Sequence, residues 1–200
     1  MSQTLAFGEQ LPSKGNIYLK VKQKGDKVQF RIAQNPSYIG KHFIQKEDGW
    51  DVPGCPRINS QEECEMCELY FKGMAEAKKY KENDEKKYKE LEKEVRKYKC
   101  SITFYFPVLN RDVEAFAILQ TTQGVRNKIN EVFESGVDIF KKDFVLRNTG
   151  SESPRDIYSV VVVDSADTKP FTDKEKEEFE KAKAFDMETL NDGFTTTEEE

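Results

Sequence analysis

Apolar and polar residues alternate at period two through "NIYLKVKQKGDKVQFRIA", residues 16–33, around a Gly25-Asp26 pair. That pattern predicts two strands closed by a two-residue hairpin turn. Ile17, Leu19, Val21, Val28, Phe30 and Ile32 would form the underside of the ribbon. Tyr18, Lys20, Lys22, Lys24, Lys27, Gln29 and Arg31 would form a basic top. A third strand is expected around "SYIGKHFIQ". From Glu68 the period changes: "ELYFKGMAEAKKYKENDEKKYKELEKEVRKYK" has no proline and abundant Lys and Glu, with Tyr88, Leu91, Val95 and Tyr98 as one helical stripe. One helix of about 30 residues would run about 45 Å away from the body. A helical hairpin turning near Asn83-Asp84, with either residue as second N-cap, returns the chain to "CSITFYFPVL".

Beyond it, strands are expected over residues 101–109 and 113–120, with Ile102, Phe104 and Phe106 facing the core and Tyr105 and Phe116 the opposite side. A helix opening near Gln123 follows, then strands at "DFVLRN" and "DIYSVVVVDSA" and a short helix from about Thr172. Many short strands with one or two helical insertions predict a mainly β fold, an OB-fold barrel. The expected organisation is a flexible segment over 1–13, a body over 14–170, a short helix over 171–183 and an acidic disordered tail over 184–200. The body includes a metal module over 41–68 and a helical arm over 69–99.

The charge distribution refines this picture. The chain is 34% charged with a net charge of -5. Residues 1–47 nevertheless carry eight Lys and Arg against three acids, while from Ala184 onward there are six acids and no base. A basic front with an acidic tail is the pattern of a polyanion-binding body with an interaction tail. The arm is basic too, with eleven bases and seven acids from Leu69 to Lys99. No apolar leader and no run of about 18 apolar residues is present, so neither secretion nor membrane insertion is expected, and a cytoplasmic location is.

The only histidine and three of the four cysteines fall in "HFIQKEDGWDVPGCPRINSQEECEMCELY", as His42-x12-Cys55-x8-Cys64-x2-Cys67. A reducing compartment disfavours disulfides. Two thiolates from a C-x2-C pair, a third from Cys55 beside Gly54 and Pro56, and an imidazole make a tetrahedral set of the kind Zn2+ prefers. Four protein ligands leave no open position, so the expected zinc is structural. Cys100, at a strand start, reads as a small core residue.

That cysteine run, followed by "RKYKCSI", "AFAILQ", "VRNKI" and "DFVLRN", resembles the core of the single-stranded DNA-binding proteins of T4-type bacteriophages. The resemblance spans roughly residues 17–165, and its most specific part is the ligand spacing. It implies an OB-fold with an inserted zinc subdomain held by His42, Cys55, Cys64 and Cys67. It implies DNA-facing roles for Arg31 and Tyr98, with Arg96 taken as a neighbouring contact. It also implies work in DNA replication, recombination and repair, in a host cytoplasm. The chain departs from the family's type member in having no Lys or Arg before Lys14, so the resemblance leaves cooperative filament formation open. The arm is also longer.

Binding single strands without regard to sequence needs cations along the phosphates and aromatic faces under the bases. The expected set is Tyr18, Lys20, Lys22, Lys24, Lys27, Arg31, Arg96, Tyr98, Tyr105 and Phe116. The tail, with Phe185, Met187, Leu190 and Phe194 among its acids, would compete for the basic face and recruit replication or recombination proteins. The rival readings are a zinc-containing adaptor that binds protein and an RNA-binding version of the same body. An enzyme is not expected, because no Cys-His or Ser-His pair remains once His42 is a ligand and no G-x-x-x-x-G-K-[ST] loop occurs. His42 also lacks the H-x-E context of zinc deaminases.

Overall fold

A computed structural model describes residues 17–153, 156–164 and 166–187. The leading segment expected over 1–13 and the tail beyond Met187 lie outside them. In chain order the strands are β1 (Tyr18–Leu19), β2 (Lys27–Ile32), β3 (Ser37–His42), β4 (Ile44–Lys46), β5 (Gly49–Asp51), β6 (Cys100–Asn110), β7 (Ala115–Thr122), β8 (Asp143–Asn148) and β9 (Tyr158–Val162). The helices are α1 (Pro56–Asn59), α2 (Glu65–Lys78), α3 (Glu85–Arg96), α4 (Gln123–Glu134) and α5 (Asp173–Ala184). No described helix is long and apolar enough to cross a membrane. The described residues divide into two compact units, one formed by residues 17–37 with those from 104 to 186 and the other by residues 38–103.

In the first unit the strand path is β1-β7-β6-β2-β8-β9, mostly antiparallel, and no backbone ladder joins its two ends among the described residues. The fold is mixed α/β, built on a large, mostly antiparallel seven-stranded sheet, and is compatible with the expected mainly β fold with helical insertions. The turn at Gly25-Asp26 is where the sequence places it. Gly25 has φ 90°, which favours glycine, and the Asp26 carboxylate accepts from the N–H groups of Lys22 and Gln23 at 3.2 and 2.8 Å.

The strands on either side of that turn do not form a hairpin, which corrects the expected ribbon. Both edges of β2 are taken, Phe30 lying opposite Asn110 of β6 and Phe144 of β8. Two-residue β1 instead pairs in parallel with β7, Tyr18 opposite Ile118. The alternation itself holds: Val28, Phe30 and Ile32 are buried, and Phe30 stacks on Phe144 with centroids 5.8 Å apart.

β6 is buried on both faces rather than one. Phe104, Tyr105, Phe106, Val108 and Leu109 are all in the interior, because neighbouring strands flank it and α5 covers Leu109. Helix α5 starts with a capping box in which Thr172 Oγ1 accepts from the Glu175 N–H and the Glu175 carboxylate accepts from the Thr172 N–H. It packs Phe179 and Ala182 against Ala33, Leu109 and Phe116.

In the second unit β3 pairs with β6, which begins there, and β4 pairs with β5 around a tight Glu47-Asp48 turn. The arm is a helical hairpin as expected, and the Asp84 side chain caps α3 by accepting from the Lys87 N–H at 3.0 Å. The two helices meet at Gly73, where a Cβ would lie 2.1 Å from Val95 Cγ1.

A methyl group there must displace Val95, at a cost of about 1–3 kcal/mol for overpacking, against a helix-propensity gain of about 1 kcal/mol for Ala over Gly. Gly73→Ala is therefore expected to lower the stability seen in urea unfolding. In a Val95→Ala background, where the obstacle is gone, the same substitution should raise it by about 0.5–1 kcal/mol. The same sign in both backgrounds would contradict this packing.

Candidate metal centre

Three short elements bring the four predicted ligands together. His42 ends β3, Cys55 precedes α1, and Cys64 is the N-cap of α2 with Cys67 in its first turn. The i, i+3 spacing at a helix start puts both sulfurs on one side, beside backbone N–H groups that favour a thiolate. Pro56 at the first helical position of α1 fixes the chain after Cys55.

β3 comes close to α1 at Gly40, where a Cβ would lie 2.5 Å from Ile58 Cβ. Asn59 clamps the same residue from both sides, its Oδ1 accepting from the Gly40 N–H at 2.7 Å and its Nδ2 donating to the Gly40 carbonyl at 3.0 Å. That carbonyl also accepts from the Cys55 N–H at 2.8 Å. Asn59 therefore fixes β3 relative to the loop that carries Cys55.

The ligand atoms all lie within 4.8 Å of one another. Cys55 Sγ is 3.9 Å from Cys64 Sγ and 3.4 Å from Cys67 Sγ, and His42 Nε2 is 3.3 Å from Cys64 Sγ and 3.8 Å from Cys67 Sγ. Ligand bonds of about 2.0–2.3 Å around a tetrahedral ion imply edges of roughly 3.5–3.8 Å. The observed edges bracket that range, so the donor set fits a tetrahedral metal ion. All four residues are buried.

The imidazole is oriented for this role. Nδ1 lies 3.0 Å from the Tyr98 carbonyl, which can only accept, so the proton sits on Nδ1 and the Nε2 lone pair faces the sulfurs. Burial, partly offset by the Tyr98 bond, lowers the His42 pKa and keeps the ring neutral, as a ligand must be. Burial and the adjoining Cys55 and Cys64 push the Cys67 thiol up to about 12. Three thiolates this close would repel one another, and a cation between them relieves that repulsion. Cys100 packs against the cluster without belonging to the ligand set, in agreement with its reading as a core residue.

The residues expected at DNA fall into three groups. Lys20, Lys22, Lys24 and Lys27 are exposed, and Tyr18 is half-buried with its ring edge-on to Tyr105 at 6.3 Å. Arg96 is exposed and paired with Glu92 at 3.0 Å, an i, i+4 pair worth about 0.3–0.5 kcal/mol that leaves it available. Tyr98 is half-buried, with Lys97 Nζ 4.9 Å from its ring centre. Its peptide carbonyl, rather than its ring, holds His42, and a backbone acceptor leaves no signal in sequence.

Two expectations, Tyr105 and Phe116, need correction. Tyr105 is 1% exposed, and burial pushes its phenol up to about 12, so it offers no open face. Phe116 lies beneath the end of α5, with the Phe185 ring 5.2 Å away. Phe185 is thereby committed to the body rather than to the tail, and its carbonyl accepts from Gln34 Nε2 at 2.9 Å. Arg31 is anchored, its Nε donating to the fully buried Asp143 at 2.7 Å, which leaves its two Nη atoms for another partner. Met187 is half-buried. The other apolar tail positions, Leu190 and Phe194, lie outside the described residues.

No protein-family model matches the chain, and no curated protein matches its sequence.

Titration of the reduced, metal-free chain with Co2+ is expected to saturate at one equivalent, with thiolate-to-metal absorption in the near ultraviolet. Cys64→Ser should abolish tight binding, and Cys100→Ser should leave it intact. Equal loss in both variants, or a stoichiometry near zero, would contradict the assigned ligand set.

Proposed function

We propose that the chain binds single-stranded DNA without regard to sequence, as a protein of the T4-type bacteriophage family it resembles, and acts in DNA replication, recombination and repair. In this reading the metal is one structural Zn2+ held by His42, Cys55, Cys64 and Cys67. The donor set favours it, because three thiolates and an imidazole in a closed tetrahedron suit Zn2+ and leave no position for catalysis.

The sheet is read as an OB barrel. One bond between its end segments supports that reading: Tyr158 Oη, at the start of β9, donates at 3.1 Å to the carbonyl of Val21, two residues after β1.

The observation that carries the DNA reading is the run Lys20, Lys22, Lys24 and Lys27. All four are exposed and none has an ion pair among the described residues. Elsewhere lysines are commonly neutralised by a nearby acid, as in Lys72–Glu68, Lys89–Glu85, Lys176–Asp173 and Lys183–Glu180. An uncompensated row of ammonium groups attracts phosphates and releases their counterions on binding. Bases must be unpaired to stack on aromatic rings such as Tyr18 and Tyr98, and this is the source of the preference for single strands. The acidic tail beyond Met187 competes for the lysines and, once displaced, docks replication or recombination partners.

A second reading, a zinc-bearing protein-interaction adaptor, draws on Phe43, Trp50, Leu69 and Phe71, all exposed in the unit that holds the metal set.

Anisotropy titrations with a labelled dT oligonucleotide, a duplex and an RNA of equal length, each at two salt concentrations, separate the readings. The expected result is tight binding of the dT strand with a log-log salt slope of about -0.7 per phosphate neutralised. Lys20→Glu combined with Lys22→Glu should weaken binding to every base sequence and flatten that slope. Duplex binding as tight as single-strand binding would contradict the stacking mechanism. Absence of nucleic-acid binding at low salt would leave the adaptor.

A further inference from the structure

Beside Arg31 the first unit contains an open pocket of about 260 Å3 lined by Arg31, Lys141, Lys142, Thr168, Lys169, Pro170 and Phe171. Four of the seven lining residues are basic and none is acidic. Two loops form it, the one leading into β8 and the one between β9 and α5.

The floor is set by a buried ion cluster. Asp143 accepts from Arg31 Nε at 2.7 Å and from Arg111 Nε at 3.1 Å, and Arg111 Nη1 lies 2.6 Å from Glu175 Oε1. Two arginines thus balance two carboxylates within the cluster, and no acidic residue lines the pocket beside Lys141, Lys142 and Lys169. The Lys169 loop is held in place, since its carbonyl accepts from Arg111 Nη2 at 2.7 Å and Thr168 Oγ1 donates to the Asp164 carbonyl at 2.9 Å. The Arg31 guanidinium sits 4.5 Å from the Phe171 ring centre and, among the described residues, forms no hydrogen bond through its two Nη atoms. The Lys169 side chain has no partner among the described residues, and Lys141 has only the exposed Asp138 at 3.0 Å.

We infer that this pocket binds a phosphate group, with the Arg31 Nη atoms as an oriented donor pair and Lys141, Lys142 and Lys169 as surrounding ammonium charge. A planar guanidinium fixed through Nε and stacked on a ring presents its remaining donors without further loss of conformational freedom. The pocket is smaller than the roughly 300 Å3 at which sites for drug-sized ligands begin, which suits a phosphate with its sugar. The phosphate could belong to a bound single strand, in which case the inference rests on the DNA reading above. It could equally be a free ion or monoester.

The test uses the full-length, metal-loaded chain and two probes. Inorganic phosphate is titrated while backbone amide shifts are followed by NMR. A dT oligonucleotide is titrated by anisotropy against wild type, Lys141→Ala with Lys169→Ala, and Lys176→Ala as a charge control on the same unit. Arg31 is kept, because its loss would strand Asp143.

The expected result is shift changes confined to Arg31, Lys141, Lys142, Thr168, Lys169 and Phe171 and their immediate chain neighbours. The double variant should lose about tenfold in oligonucleotide affinity and about 0.7 in salt slope, with Lys176→Ala unchanged. If phosphate shifts these residues but no oligonucleotide binds, the pocket stands as a site for a free phosphate or monoester and the DNA reading falls. If wild type binds the oligonucleotide and the double variant binds it equally well, with no localised phosphate shifts, the pocket is overturned and the DNA reading survives. Phosphate shifts scattered over all exposed lysines would also overturn it.

Discussion

One imidazole and three thiols packed together in a protein interior, in a geometry that fits a tetrahedral metal ion, set the terms for everything between residues 38 and 103. In that stretch the buried residues are Ile39, Gly40, His42, Cys55, Cys64, Cys67 and Ala77, so only Ile39 and Ala77 are ordinary apolar side chains. Helix α3 buries nothing, and α2 buries only Cys67 and Ala77. So small an apolar core does not offset the conformational entropy of ordering about sixty residues, at about 1–2 kcal/mol each for the backbone alone. In the proposed reading a bound ion takes the place of a core. A structural Zn2+ site contributes roughly 10–16 kcal/mol in small domains, enough to organise a β-hairpin, a one-turn helix and the start of a helical arm.

The other unit solves its packing differently. Its sheet has a conventional interior of Phe30, Ile32, Val108, Leu109, Ile118, Leu119, Phe144 and Leu146. A polar cluster of Arg31, Asp143, Arg111 and Glu175 lies at the margin of that interior. Such a cluster is costly to desolvate, and removing one member costs about 3–5 kcal/mol because its partner is left charged and buried. Its effect is positional: it ties β2, the start of β8, the turn after β6 and the first turn of α5 to one another. It also holds the loop carrying Lys169, so the basic rim of the pocket stands on a rigid base.

What the sequence could reveal follows from how local each signal is. The ligand set was readable because C-x2-C and a lone nearby histidine are rare residues at a spacing with one chemical use. The helical hairpin was readable because Asp84 caps its own next turn, an interaction across three residues. The Gly25-Asp26 turn was readable for the same reason. The partners of β2 were not, since alternation fixes which side chains face inward and says nothing about which strand lies alongside. The anchoring of Arg31 was not readable either, because Asp143 is 112 residues away. Alternation places Tyr105 and Phe116 opposite Ile102, Phe104 and Phe106 and carries no information on whether that second face is covered. β6 is a central strand buried on both faces, and α5 closes over Phe116 and brings Phe185 with it.

The central claim is that the metal ion is the core of the 38–103 unit and not an accessory to it. Amide hydrogen exchange on the same protein with and without metal tests this most directly. The account predicts that chelation removes protection from β3, from the β4–β5 hairpin and from residues 55–70, while β2 and β8 retain theirs. Unchanged protection across residues 38–70 after complete removal of the metal would contradict it.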